Sequence, residues 1–99
     1  MPIPKDIRPA LRAELDALAR GERPALLTWV GNYGQSGAEL VLQPEEIWTH
    51  PDSDLQVRSD GTAWGSLPLW TTEEQPSDLT VEFEVNPKGA VTLGDVRVL

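Results

Sequence analysis

Residues 79–85 read Leu79-Thr80-Val81-Glu82-Phe83-Glu84-Val85, and strict alternation of apolar and polar side chains admits a β-strand with one dry face and one wet, acidic face. Asn86-Pro87-Lys88-Gly89 then supplies a tight turn into a strand over residues 90–99. The apolar positions of that strand run Val91, Leu93, Val96, Val98, so the phase slips by one. A strand cannot change face without an extra residue, which makes Gly94-Asp95 a candidate β-bulge.

The remaining segments supply partners for these strands. Residues 55–58 and 62–70 flank Ser59-Asp60-Gly61, where Asp-Gly is a strong hairpin signal. Pro68 cannot donate to a ladder and belongs at an edge or bulge. Residues 26–30 and 38–42, short and rich in β-formers, read as two further strands joined through Gly31-Asn32-Tyr33-Gly34, with Gly37 adding freedom between them. Residues 45–49 read as a short extended piece, 51–54 as a loop, and 71–77 as a polar, acidic loop around Pro76.

One helix precedes all of this. Ile7, Leu11, Leu15 and Leu18 form a single apolar stripe, Asp6 is placed to cap the start, Pro9 is tolerable in the first turn, and Gly21 and Pro24 end the helix near Arg20. The expected core is Ile7, Leu11, Leu15, Leu18, Leu27, Trp29, Leu40, Leu42, Leu67, Leu69, Val81, Phe83, Val85, Val91 and Val96. The expected fold is α+β, one domain over residues 1–99, with the amphipathic helix packed on a curved antiparallel sheet of about four to six strands.

Charge and residue usage remove whole classes of function. The net charge of −8 is unevenly placed: residues 1–23 carry five basic and four acidic side chains, a net of +1, and residues 24–99 carry three basic and twelve acidic, a net of −9. Such a surface repels phosphate backbones, so nucleic acid is not an expected ligand. The absence of cysteine excludes disulfides, thiol nucleophiles and redox pairs and fits a reducing cytoplasm. Neither a signal-peptide h-region nor a membrane-spanning apolar run is present, so the chain is expected to be soluble, cytoplasmic and free of membrane contact.

Catalytic signals are weak. His50, the only histidine, forms His50-x-Asp52-x-Asp54, which supplies too few nitrogen ligands for a transition metal and too short a run of oxygens for calcium. No triad, dinucleotide fingerprint or phosphate-cradling glycine loop is recognisable, and no catalytic residue, metal or cofactor is expected. The adjacent pairs Glu45-Glu46 and Glu73-Glu74 point to different sides of an extended chain and read as surface charge.

Four tryptophans beside one phenylalanine are the most unusual feature. Indole N–H groups want partners, so some of these rings belong at the core edge or in a half-open groove. Trp48, Trp64 and Trp70 are the candidate binding aromatics, and Glu73, Glu74 and Asp78 the candidate acidic rim.

The stretch Pro68-Leu69-Trp70-Thr71-Thr72-Glu73-Glu74-Gln75-Pro76-Ser77-Asp78-Leu79-Thr80, with a closing Asp95-Val96-Arg97-Val98-Leu99, resembles a family of small uncharacterised bacterial domains with no established activity. The helix-then-strands order also looks like cystatin-like or nuclear-transport-factor-like folds, although the chain is short for the deep pocket of the latter. These resemblances imply a fold and assign no residue a role. The leading functional expectation is a non-enzymatic acidic interaction module, of the kind that inhibits a basic bacterial toxin. The alternatives are a ligand-binding domain or minor enzyme with a shallow tryptophan-lined pocket, and a homodimer formed through an open sheet edge.

Overall fold

The apolar stripe of the first segment forms helix α1 (Arg8–Ala19), whose Leu11, Leu15 and Leu18 are buried while Ile7 packs at the edge of the same cluster. A computed structural model describes residues 1–98. The expected Asp6 cap does not form. Ile7 holds the cap position because the Ile7 and Arg8 amides already donate to the Pro4 and Lys5 carbonyls, both at 3.4 Å, which begins the turn on backbone bonds alone. At the other end Gly21 adopts φ +80°, and the Gly21 and Glu22 amides donate back to Leu18 and Ala17 at 3.1 and 2.9 Å. That left-handed turn satisfies carbonyls the helix would otherwise leave orphaned.

Strands β1 (Asp54–Val57), β2 (Ala63–Pro68), β3 (Leu79–Val85) and β4 (Val91–Val98) form one antiparallel sheet in sequence order. The β1–β2 connection is held by the Arg58 amide on the Thr62 carbonyl at 2.8 Å, by Asp60 Oδ1 accepting from the Thr62 amide and hydroxyl, and by Gly61 at φ +88°. The β3–β4 register pairs Glu82 with Asp95 but Phe83 with Leu93, so Gly94 is the extra residue of a bulge at the expected place. The bulge returns Val96 to the interior; Val98, at the end of the pairing, stays exposed. Leu99, expected to end this strand, lies outside the described residues.

Pro68 sits on an interior strand yet harms no ladder. Leu69 donates to Leu79 of the β3 segment, so by alternation the Pro68 nitrogen faces the β1 side, two positions beyond Ser66, where β1 has ended. Gly65 lies opposite Phe83, and a Cβ there would come within 2.3 Å of the Asp54 carbonyl oxygen and 2.7 Å of the Phe83 ring. Phe83 therefore occupies the space that any larger residue at 65 would need.

The segments between α1 and β1 differ most from the sequence reading. Residues expected as a first strand form a 3-10 turn (Pro24–Leu26) and a short helix α2 (Thr28–Gly31). The Gly31 and Asn32 amides return to Leu27 and Thr28, so the backbone bonds locally; Val30 is buried, Leu27 partly so, and Trp29 is turned out at 53% exposed. A run of five apolar-rich residues is compatible with either period, and the i, i+3 spacing prevailed. Residues 38–42 make only one isolated bridge, Leu40 to Thr71, and Leu42 is 59% exposed instead of buried. Residues 45–49, expected as extended, contain a 3-10 turn (Glu45–Trp48) that buries Ile47 and Trp48.

Backbone pairing of the segment at 38–42 with residues 70–72 is confined to the Thr72 amide on the Glu39 carbonyl at 3.0 Å and the Val41 amide on the Trp70 carbonyl at 3.4 Å, and beyond it a side chain continues the contact. Gln43 is buried; its Oε1 accepts from the Trp70 amide at 2.7 Å, and its Nε2 donates to the carbonyls of Trp70 at 3.0 Å and Val41 at 2.8 Å. One amide side chain thus satisfies a backbone edge that a continued strand would have paired. Ile3, in a segment with no expected structure, is fully buried and its amide donates to the Trp48 carbonyl at 3.0 Å.

Two substitutions test this packing in urea unfolding. Gly65→Ala is expected to cost about 1–3 kcal/mol through overpacking, whereas Gly94→Ala, whose Cβ would meet nothing nearer than 3.7 Å, should change little. Gln43→Leu leaves the buried Trp70 amide and the Val41 carbonyl without their partner, while the Trp70 carbonyl keeps the Val41 amide at 3.4 Å, and is expected to lower stability by about 1–3 kcal/mol.

Candidate functional site

Pairing in the sheet places one polar row after another on the face opposite the core. Gln56, Trp64, Glu84 and Thr92 lie in register across the four strands; the next row is Asp54, Ser66, Glu82 and Asp95; in the third, Pro68 and Thr80 are buried and only Arg97 is exposed. Directly opposed residues share a face, so these side chains form one surface. The expected wet, acidic face of β3 is present at Glu82 and Glu84, while Thr80 at its end is buried.

Trp64 stands in this face at 38% exposed. The Arg58 guanidinium lies 6.0 Å from its ring centroid, and a groove of about 380 Å³ runs beside it, lined by Arg58, Trp64, Glu82, Glu84, Thr92 and Gly94, among others. Glu82 is ion-paired with Arg97. Among the described residues Glu84 makes no ion pair, although it stands directly across from Trp64.

The other candidate tryptophans are elsewhere. Trp48 is 4% exposed, lies beneath the guanidinium groups of Arg8 and Arg12 at 6.0 and 4.9 Å, and donates its indole N–H to Glu45. Trp70 is 6% exposed; its backbone is held by Gln43 and its ring meets His50 edge-on at 5.4 Å. Both indoles are thus in the core edge that their polar N–H groups made plausible, and Trp64 alone of the three is presented to solvent.

The acidic candidates gather at a second place. Glu73 and Glu74 border a hollow of about 340 Å³ with Tyr33, Glu39, Thr71 and Thr72, and Asp78 joins it by donating its backbone N–H to the Tyr33 phenol oxygen at 3.2 Å. Thr71 Oγ1 accepts from the Glu74 amide at 3.0 Å and fixes the turn that carries both glutamates. Hydrogen bonding to Glu74 raises the Tyr33 pKa above its ordinary 10.0, and the Asp78 amide acts in the opposite direction. The six candidate residues therefore occupy separate regions, with only Glu73, Glu74 and Asp78 brought together. His50 and Asp52 form a local turn, the Asp52 amide donating to His50 Nδ1 at 3.0 Å, and among the described residues no group of three or more His, Asp or Glu is placed to hold a metal ion.

A family model described as a domain of unknown function (DUF7668) matches residues 5–99. The chain belongs to this family. No curated protein and no solved structure matches it. Among the described residues of this DUF7668 chain, no helix is long and apolar enough to cross a membrane.

Four residues that line the two regions were not among the sequence candidates: Arg58, Glu82, Glu84 and Tyr33. Glu82 and Glu84 were visible as the wet side of an alternating strand, but the juxtaposition of Glu84 with Trp64 depends on a register that no local pattern encodes. Tyr33 is the only tyrosine, so an alkaline absorbance titration reports it alone once tryptophan is subtracted. Glu74→Gln is expected to lower its pKa toward the ordinary value, and an unchanged titration would show that Glu74 does not govern the phenol.

Proposed function

We propose that this DUF7668 chain is a non-enzymatic interaction module that receives a basic protein partner on the open face of its sheet. The observation that carries this reading is Trp64, a large aromatic left part-exposed in a face edged by Asp54, Glu82, Glu84 and Asp95, of which Glu82 is paired with Arg97 and Asp54 with the N-terminal ammonium, with Arg58 beside the indole. Tryptophan is enriched among residues that dominate binding energy, and carboxylates around it steer a cationic partner and set its orientation. A bacterial, cytoplasmic setting and an immunity-type role against a basic toxin are the form of this proposal that best suits a chain of net charge −8. The hollow beside Tyr33, with Glu73, Glu74 and Asp78, would extend the acidic field to a second part of the surface.

The alternative of a shallow tryptophan-lined ligand pocket loses the convergence of its three aromatic candidates, since Trp70 is buried, Trp48 borders a separate hollow of about 360 Å³ with Arg8, Arg12 and Glu45, and only Trp64 stands in the sheet face. The test is capture of partners from host lysate on the immobilised chain at low and moderate salt, beside the variants Trp64→Thr and Glu82→Gln/Glu84→Gln. A basic protein retained at low salt, released at moderate salt and lost about 30-fold in affinity with Trp64→Thr is the expected result. Retention that neither salt nor these variants alter would refute the assignment of the face.

A further inference from the structure

We infer that the groove between Trp64 and Glu84 is a guanidinium slot, so that the partner contributes an arginine side chain in preference to lysine; this rests on the reading of the open sheet face as a surface for a basic partner. Charge alone would accept either cation. The geometry is more selective, because it sets an aromatic ring and a carboxylate side by side.

Trp64 and Glu84 are directly opposed on β2 and β3, and opposed residues on one face carry their Cβ atoms about 4.5–5.5 Å apart. A planar guanidinium stacked on the indole can therefore direct its N–H fork toward the Glu84 carboxylate, an arrangement in which stacking and paired hydrogen bonds reinforce each other. An ammonium group has no plane to stack and is more strongly hydrated. Glu84 is the carboxylate left for this purpose: its neighbour Glu82 is engaged by Arg97, whereas Glu84 makes no ion pair among the described residues.

Two further features keep the slot open. Thr92, opposite Glu84, is short, and Gly94 at the bulge presents no side chain, a Cβ there having nothing nearer than the Glu82 oxygen at 3.7 Å. The groove of about 380 Å³ continues past both. The chain's own Arg58 shows that a guanidinium reaches this ring, but it does so at 6.0 Å, the outer limit of a useful cation–π contact, from an exposed hairpin end. Arg58 is thus a weakly held occupant that a partner's arginine displaces.

The test compares an oligoarginine and an oligolysine peptide of equal length, titrated into the intact chain at low salt and followed by affinity and by the Trp64 indole N–H resonance. Oligoarginine is expected to bind about two- to fivefold more tightly and to shift that resonance. Trp64→Thr should remove the preference, Trp64→Phe should retain part of it, and Glu84→Gln should reduce it, with folding of each variant checked by far-ultraviolet circular dichroism. Equal affinities in the wild-type chain, or a preference that survives Trp64→Thr, would overturn the slot while leaving the acidic face as a general cation surface. Failure of both peptides to bind would overturn the slot and the face together.

Discussion

The inner face of β3 is the surface on which the rest of the structure depends. Leu79, Val81, Phe83 and Val85 are all buried, and they contact a cluster that draws in Leu11, Leu15 and Leu18 from α1, Ile3 from the N-terminal segment, Ile47 and Trp48 from the 3-10 turn, and Leu93 and Val96 from β4. Removing that apolar area from water is the main favourable contribution available to so small a core. The demands of β3 then pass to its neighbours: Phe83 requires a glycine at position 65, and the slip in β4 requires an extra residue at Gly94. The same alternation that seals the inner face sends Glu82 and Glu84 outward, so the chemistry of the open face is a consequence of how the core is built.

The half of the chain before β1 is organised on a different principle. It pairs little backbone with the sheet and satisfies its polar groups locally or through side chains. Gln43 supplies both a donor and an acceptor to Trp70, and Ser53 Oγ donates to the Ile47 carbonyl at 2.5 Å. These bonds let irregular backbone pass beside the core without leaving buried groups unpaired. They also explain the burial of Trp48 and Trp70: once the irregular segments are tied down, both indoles are covered, and a tryptophan-rich composition does not become a tryptophan-rich site.

What remains on the surface is electrostatically divided. The cations of the first segment are largely engaged at home, Arg12 with Gln43 and Glu45, Arg23 with Glu14, and Arg8 with the Ile3 carbonyl. On the open face Asp54 is paired with the N-terminal ammonium and Glu82 with Arg97, whereas Glu84 and Asp95 make no ion pair among the described residues. Exposed pairs of this kind contribute little to stability, so the uneven distribution matters for what the surface attracts more than for how the fold is held.

The sequence by itself determined the elements whose periodicity is long or whose turns are chemically specific: α1 with its Gly21 ending, the Asp60-Gly61 hairpin, the alternating β3, and the bulge at Gly94. In each, a repeated spacing or a residue able to take positive φ restricts the backbone from within. The tertiary structure alone decided that residues 26–30 turn as helix, that Gln43 stands in for a strand, and that Trp64 faces Glu84 across two strands while Trp48 and Trp70 are covered. Short apolar runs are compatible with either period, and cross-strand neighbours are distant in sequence, so these outcomes follow from which surfaces the core must cover.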